Sequence, residues 1–175
     1  MSRTVNVILM RGLLGERYSR GMDRLGARLA KIPGIDYVSV EDYASWRSVR
    51  NRIASWRDPT IIGGHSFGAN AATIIAKALR GRAEIPLIIT VDPSPYWSFY
   101  LWQFGPSRVA YNVHRLVNFY QPHGVIGRQR LEPAPGSATA IENIVVESST
   151  HGSIDDHVEL VHDPAVDEVL KVIES

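Results

Sequence analysis

The sequence predicts an α/β fold: a doubly wound, mostly parallel sheet of about six strands with helices on both faces. Three observations predict it. Short apolar, β-rich runs alternate with helix-like stretches along the chain, and that alternation favours a parallel sheet. Several runs, such as Leu87-Ile88-Ile89, are continuously apolar, as strands buried on both faces must be. The 175 residues fit one domain, spanning 1–175, around a single sizeable core.

The elements follow in order. Val5–Met10 reads as a buried strand, broken only by Asn6. Arg17–Ile32 carries Met22, Leu25, Leu29 and Ile32 at helical spacing, and Pro33-Gly34 ends it. Tyr37–Val40 is a short second strand. Ser45–Trp56 is a helix with an arginine-rich outer face. Thr60–Gly63, bounded by Asp58-Pro59, is a third strand, and Phe67–Leu79 is an alanine-rich buried helix. Strands are expected at Leu87–Val91, Val113–Tyr120 and Ile141–Val146, and an amphipathic helix over Val166–Ile173 closes the chain. The stretch from Glu132 to Ala140, with Pro133, Pro135 and Gly136, is a loop. No repeat or low-complexity segment interrupts this order.

Composition narrows the function classes. The formal net charge is +1, from 19 basic and 18 acidic side chains, so nothing implies a general polyanion partner. The longest basic cluster, Arg47 to Arg57, is interleaved with Trp46, Val49, Ile53 and Trp56. That is an amphipathic helix with a solvated face rather than a nucleic-acid surface. There is no cysteine, which excludes disulfides, thiolate catalysis and cysteine-bound zinc. The run Val5 to Met10 is too short for a transmembrane segment and poor as a signal peptide. A cytoplasmic location is the expectation.

The informative segment is Thr60-Ile-Ile-Gly-Gly-His-Ser-Phe-Gly68. It contains Gly64-x-Ser66-x-Gly68, placed between an apolar strand and an alanine-rich helix. A serine on so sharp a strand-to-helix turn sits in strained backbone geometry with its hydroxyl raised above the sheet. The residues two before and two after it must be small, and glycine stands at both places. The positive end of the following helix favours negative charge developing there.

This strand, Gly64-His65-Ser66-Phe67-Gly68 and the helix after it resemble the nucleophile elbow of the α/β-hydrolase superfamily of esterases, lipases and thioesterases. The element order matches over most of the chain; residue-level similarity is confined to the elbow and a few later segments. The resemblance implies a minimal α/β-hydrolase without a lid domain, acting on a small-molecule acyl ester with no cofactor, metal or nucleic acid. Thioester and amide are the alternative substrates. A non-catalytic binding protein with a vestigial elbow is the alternative function.

Serine needs a base, and the chain has six histidines. His151, in Ser148-Ser-Thr-His-Gly152, lies just after the last strand, where catalytic groups collect in open α/β sheets and where the resembled family has its base. His157 is its rival. His65, inside the elbow, is expected to point away. Asp92, at the end of Leu87–Val91, is the candidate acid, and the order Ser66, Asp92, His151 matches the family's. There is a departure: many members carry the acid after the next strand, which here ends Asn118-Phe-Tyr-Gln-Pro122 and offers no carboxylate. Asp155 and Asp156 are alternatives, and a capping role before Pro93 is the other reading of Asp92.

Acyl transfer also needs donors for the oxyanion. The resemblance assigns one to the N–H of Phe67 and the other to Arg11-Gly-Leu-Leu-Gly15, with Leu13 N–H the candidate and Arg11 standing where the family often has histidine. A plain strand-to-helix connection is the alternative for that loop. Pro95 to Phe104 holds six aromatic residues in ten positions. With Leu13 and Leu14, Tyr96 and Trp97 would wall an acyl pocket; core or a dimer contact are the alternatives. A metal site built from His151, Asp155, Asp156 and His157 would leave the serine motif without a role.

Overall fold

The computed structural model describes residues 4–94, 108–122, 130–146 and 158–175. Six strands form one sheet: β1 (Val5–Arg11), β2 (Ile35–Asp42), β3 (Thr60–His65), β4 (Ile85–Val91), β5 (Val113–Tyr120) and β6 (Ala140–Val145). Their spatial order is β2-β1-β3-β4-β5-β6, and every neighbouring pair is parallel. The helices are α1 (Gly15–Tyr18), α2 (Arg20–Leu29), α3 (Trp46–Ser55), α4 (Phe67–Ala78) and α5 (His162–Glu174).

The period of two along the strands explains the layers. In β1, Val5, Val7 and Leu9 face one side and Ile8 and Met10 the other. The first side meets Met22, Leu25 and Leu29 of α2 and Ala165 and Val169 of α5. The second meets Val49 and Ile53 of α3 and Ala72, Ile75 and Ala76 of α4. The chain leaves β1 toward β2 and then turns back across it to β3. Since crossovers are right-handed, that reversal puts α3 and α4 on the opposite face from α2.

The expected elements are all present, with bounds that shift for local reasons. The stretch read as one helix over Arg17–Ile32 is divided at Ser19, whose φ of −130° and ψ of 28° separate α1 from α2. The terminal helix starts earlier than expected, at His162, because that imidazole is buried and its Nε2–H donates to Gly21 O at 2.8 Å. On α3 the apolar positions Val49 and Ile53 are buried. Arg47 lies outward over the Trp46 ring at 4.7 Å, and Arg52 pairs with Glu41 at 2.5 Å.

One register row carries polar groups through the sheet. Thr90, Asn118 and Asn143 are direct neighbours on β4, β5 and β6. Thr90 Oγ1 donates to Asn118 Oδ1 at 2.8 Å, and Asn118 Nδ2 donates to Asn143 Oδ1 at 2.8 Å. Asn143 then exchanges hydrogen bonds with the backbone of Leu131. Among the described residues no helix is long and apolar enough to cross a membrane.

Candidate active site

The reversal between β1 and β3 opens a crevice at their carboxyl ends, the place where open α/β sheets bind ligands. Two segments border it: Gly12 to Leu14 after β1, and Ser66 after β3.

Ser66 has φ 55° and ψ −122° and directly precedes α4. Its N–H donates to Val91 O at 2.9 Å, hanging the turn on the end of β4. The helical ladder begins when Ala69 N–H donates to Ser66 O at 3.0 Å. Phe67 N–H comes before that first rung, at the positive end of α4. Crowding explains the two flanking glycines. A Cβ on Gly64 would meet the carbonyl of Gly68 and lie 2.6 Å from Ala69 N. A Cβ on Gly68 would lie 2.6 Å from the Met10 carbonyl carbon and 2.7 Å from Arg11 O. Gly12 is as tightly placed: a Cβ there would be 2.9 Å from Ser66 Cβ and 3.4 Å from Ser66 Oγ. The loop after β1 therefore runs against the serine itself.

Asp92 follows β4 with φ 45° and is 6% exposed. Its N–H donates to Phe119 O at 2.8 Å, extending the sheet pairing by one residue. Gln121 faces its carboxylate with two donors. The backbone N–H reaches Oδ1 at 3.0 Å and the side-chain Nε2 reaches Oδ2 at 3.0 Å. Because Ser66 N–H holds Val91 O, Ser66 and Asp92 sit on neighbouring strand ends at the same sheet edge.

Leu13 and Leu14 are 48% and 63% exposed, large apolar side chains open to solvent at the crevice. The Phe67 ring packs on Tyr43 with centroids 5.6 Å apart. Tyr96, Trp97 and His151 lie outside the described residues, as do His157, Asp155 and Asp156. Among the described residues no cluster of three or more His, Asp or Glu could hold a metal ion.

Three histidines are described. His65 is buried, and its Nδ1 pairs with Ser19 Oγ at 2.9 Å. His114, near the amino end of β5, pairs with Glu84 at 3.2 Å. His162 bonds to Gly21 O, and burial pushes its imidazole below the usual histidine range despite that hydrogen bond.

Sequence reading did not find two of these positioning groups. Ser19 accepts the N–H of Gly12 at 3.2 Å while pairing with His65, so it ties the loop after β1 to the elbow strand. A serine inside a helical pattern gives no sign of this. Gln121 contacts Asp92 across 29 positions of chain, beyond any local signal. Arg11 turns away from the crevice to Asp23, with Nε at 3.2 Å and Nη2 at 2.5 Å, and these bonds raise its already high pKa.

Three non-glycine residues among those described have positive φ: Leu14, Ser66 and Asp92. Each follows a strand, β1, β3 or β4, at the same edge of the sheet. Such backbone costs on the order of 1–3 kcal/mol per residue and persists where the surrounding structure enforces it.

No protein-family model matches the sequence, and no curated protein matches it. Solved structures do. Est1E from Butyrivibrio proteoclasticus, in a structure with ferulic acid bound, is 14% identical with a TM-score of 0.64, over 99% of this chain and 91% of that one. A metagenome-derived lipolytic enzyme of the LipS and LipT pair is 13% identical with a TM-score of 0.59, over 98% and 95%. The RedJ thioesterase of prodiginine biosynthesis in Streptomyces coelicolor is 12% identical with a TM-score of 0.52, over 92% and 85%. With its six parallel strands, its helices on both faces and its strained strand-to-helix turn, this chain has the α/β-hydrolase fold in a minimal form.

Proposed function

We propose that the chain is a serine hydrolase that cleaves a carboxylic ester, or a thioester, through an acyl-serine intermediate. The observation that carries this reading is the convergence of positive-φ backbone at Leu14, Ser66 and Asp92 on one sheet edge. Strain concentrated where a reaction would occur, and absent from other non-glycine residues among those described, is the mark of a built site. The names of the structural neighbours, two lipolytic or esterase-like and one a thioesterase, set the substrate classes to try.

In this reading Ser66 Oγ attacks the substrate carbonyl carbon while His151 takes its proton. Asp92 orients His151 and stabilises its cation. The N–H groups of Phe67 and Leu13 hold the oxyanion; such a donor contributes about 3 kcal/mol to the transition state. His151 then gives the proton to the leaving alcohol or thiol, and water repeats the sequence to free Ser66. Leu14, Tyr96 and Trp97 line the acyl side. His151 is preferred because its segment follows the last strand in the chain, at the carboxyl edge that carries Ser66 and Asp92, while the described histidines are engaged elsewhere: His65 with Ser19, His114 with Glu84 at the far end of the sheet, His162 with Gly21.

A fluorophosphonate probe tests the core of this. Ser66 should label and Ser66→Ala should not, and p-nitrophenyl esters and acyl thioesters of graded chain length should be turned over only by the native protein. Absence of labelling with the fold intact would make the chain a binding protein with a vestigial elbow.

A further inference from the structure

The strand end that offers no carboxylate is not idle. Gln121 stands one residue beyond β5 and directs both its backbone N–H and its side-chain amide at the Asp92 carboxylate, one donor per oxygen at 3.0 Å. A carboxylate only accepts, so the amide must present its nitrogen there. Asp92 is 6% exposed, and a buried carboxylate needs such partners to stay charged. The placement is also fixed from below. Asn118, three residues earlier on β5, is held by Thr90 of β4 and Asn143 of β6, which locks the register that brings Gln121 beside Asp92.

We infer that Gln121 is a positioning residue for the acid of the site: it holds the Asp92 carboxylate ionised and in one orientation, and it tempers the negative charge presented to the base. This rests on the reading of Ser66, His151 and Asp92 as a triad. Two neutral donors withdraw part of the carboxylate's charge. Removing one leaves more charge facing the imidazole and favours its cation, so the base would titrate higher. A second carboxylate in the same place would favour the cation further.

The test is the pH dependence of p-nitrophenyl ester hydrolysis by the native protein, Gln121→Met, Gln121→Glu and Asp92→Asn, with thermal melting of each. Gln121→Met should lower kcat about tenfold, the factor expected for a hydrogen bond to a charged group, with KM within about twofold. The acid limb of kcat/KM should move to higher pH in Gln121→Met and further in the isosteric Gln121→Glu. Acid limbs that coincide with the native one in both folded variants, beside a severe loss in Asp92→Asn, would overturn the inference and leave the triad standing. No loss in Asp92→Asn would instead remove the triad reading itself. Partial recovery of turnover in Asp92→Asn/Gln121→Glu would place the two side chains at one functional position.

Discussion

Replacing Gly68 with alanine perturbs the site through packing alone. The added Cβ would lie 2.6 Å from the Met10 carbonyl carbon and 2.7 Å from Arg11 O. Ordinary contact begins near 3.4 Å and the Met10 O atom lies closer than either, so α4 must retreat from β1 by about 1 Å or more, and every crowding atom is backbone. Overpacking of this kind costs about 1–3 kcal/mol. The same retreat carries Phe67 N–H and Ser66 away from the loop after β1, and a displacement near 1 Å can cost ~100-fold in rate. Urea denaturation should therefore show a lower midpoint at unchanged slope, and fluorophosphonate labelling of Ser66 should slow by one to two orders of magnitude. Gly81→Ala is the matched control. Nothing lies within 4 Å of a Cβ there, but φ is +75°. It should cost about 1 kcal/mol through backbone strain and leave labelling unchanged. Native stability and labelling in Gly68→Ala would refute the argument that crowding dictates glycine beside the elbow.

Other outcomes follow from the same coordinates. Ser66→Gly should abolish labelling yet raise the melting temperature, since glycine adopts φ 55° without the penalty serine bears; the gain should be on the order of 1 kcal/mol. Asn118→Leu should destabilise by roughly 2 kcal/mol or more, because it strands the buried Thr90 hydroxyl and removes one of the two hydrogen bonds to Asn143 Oδ1, and equilibrium unfolding checks it. The His162 imidazole titrates below its ordinary value when folded because it is buried. Its contribution is complete above about pH 6.5 and is lost as pH falls toward the depressed folded value, because the unfolded chain then binds a proton the native one resists. Denaturation midpoints between pH 7.5 and 5 should fall in the native protein, and less steeply in His162→Gln.

The sheet was legible because its strands had no choice. A segment such as Val5–Met10 must be covered on both sides, so its apolar run announces a parallel strand, and β1 is indeed buried on both faces. The elbow was legible because its glycines answer a crowding rule that depends on five adjacent residues. What escaped depends on contacts between distant positions. Ser19 breaks a helical pattern in order to accept Gly12 N–H and meet His65, 46 residues away. Gln121 was read only as a missing carboxylate, although its amide is the partner of Asp92. The reading of His151, Tyr96 and Trp97 concerns residues outside those described, and rests on chain order and the physical needs of acyl transfer.

The strained turns at the ends of β3 and β4 have a thermal consequence. They are suspended from carbonyls of adjacent central strands, Ser66 on Val91 and Asp92 on Phe119, rather than carried on free-standing loops. Amides so placed should exchange with deuterium only through opening of the whole sheet, while the end of α5 frays freely. Heat would then silence the molecule in one step: the fraction of protein able to react with a serine probe should track the calorimetric transition, with no cooler stage at which a folded but inert form accumulates.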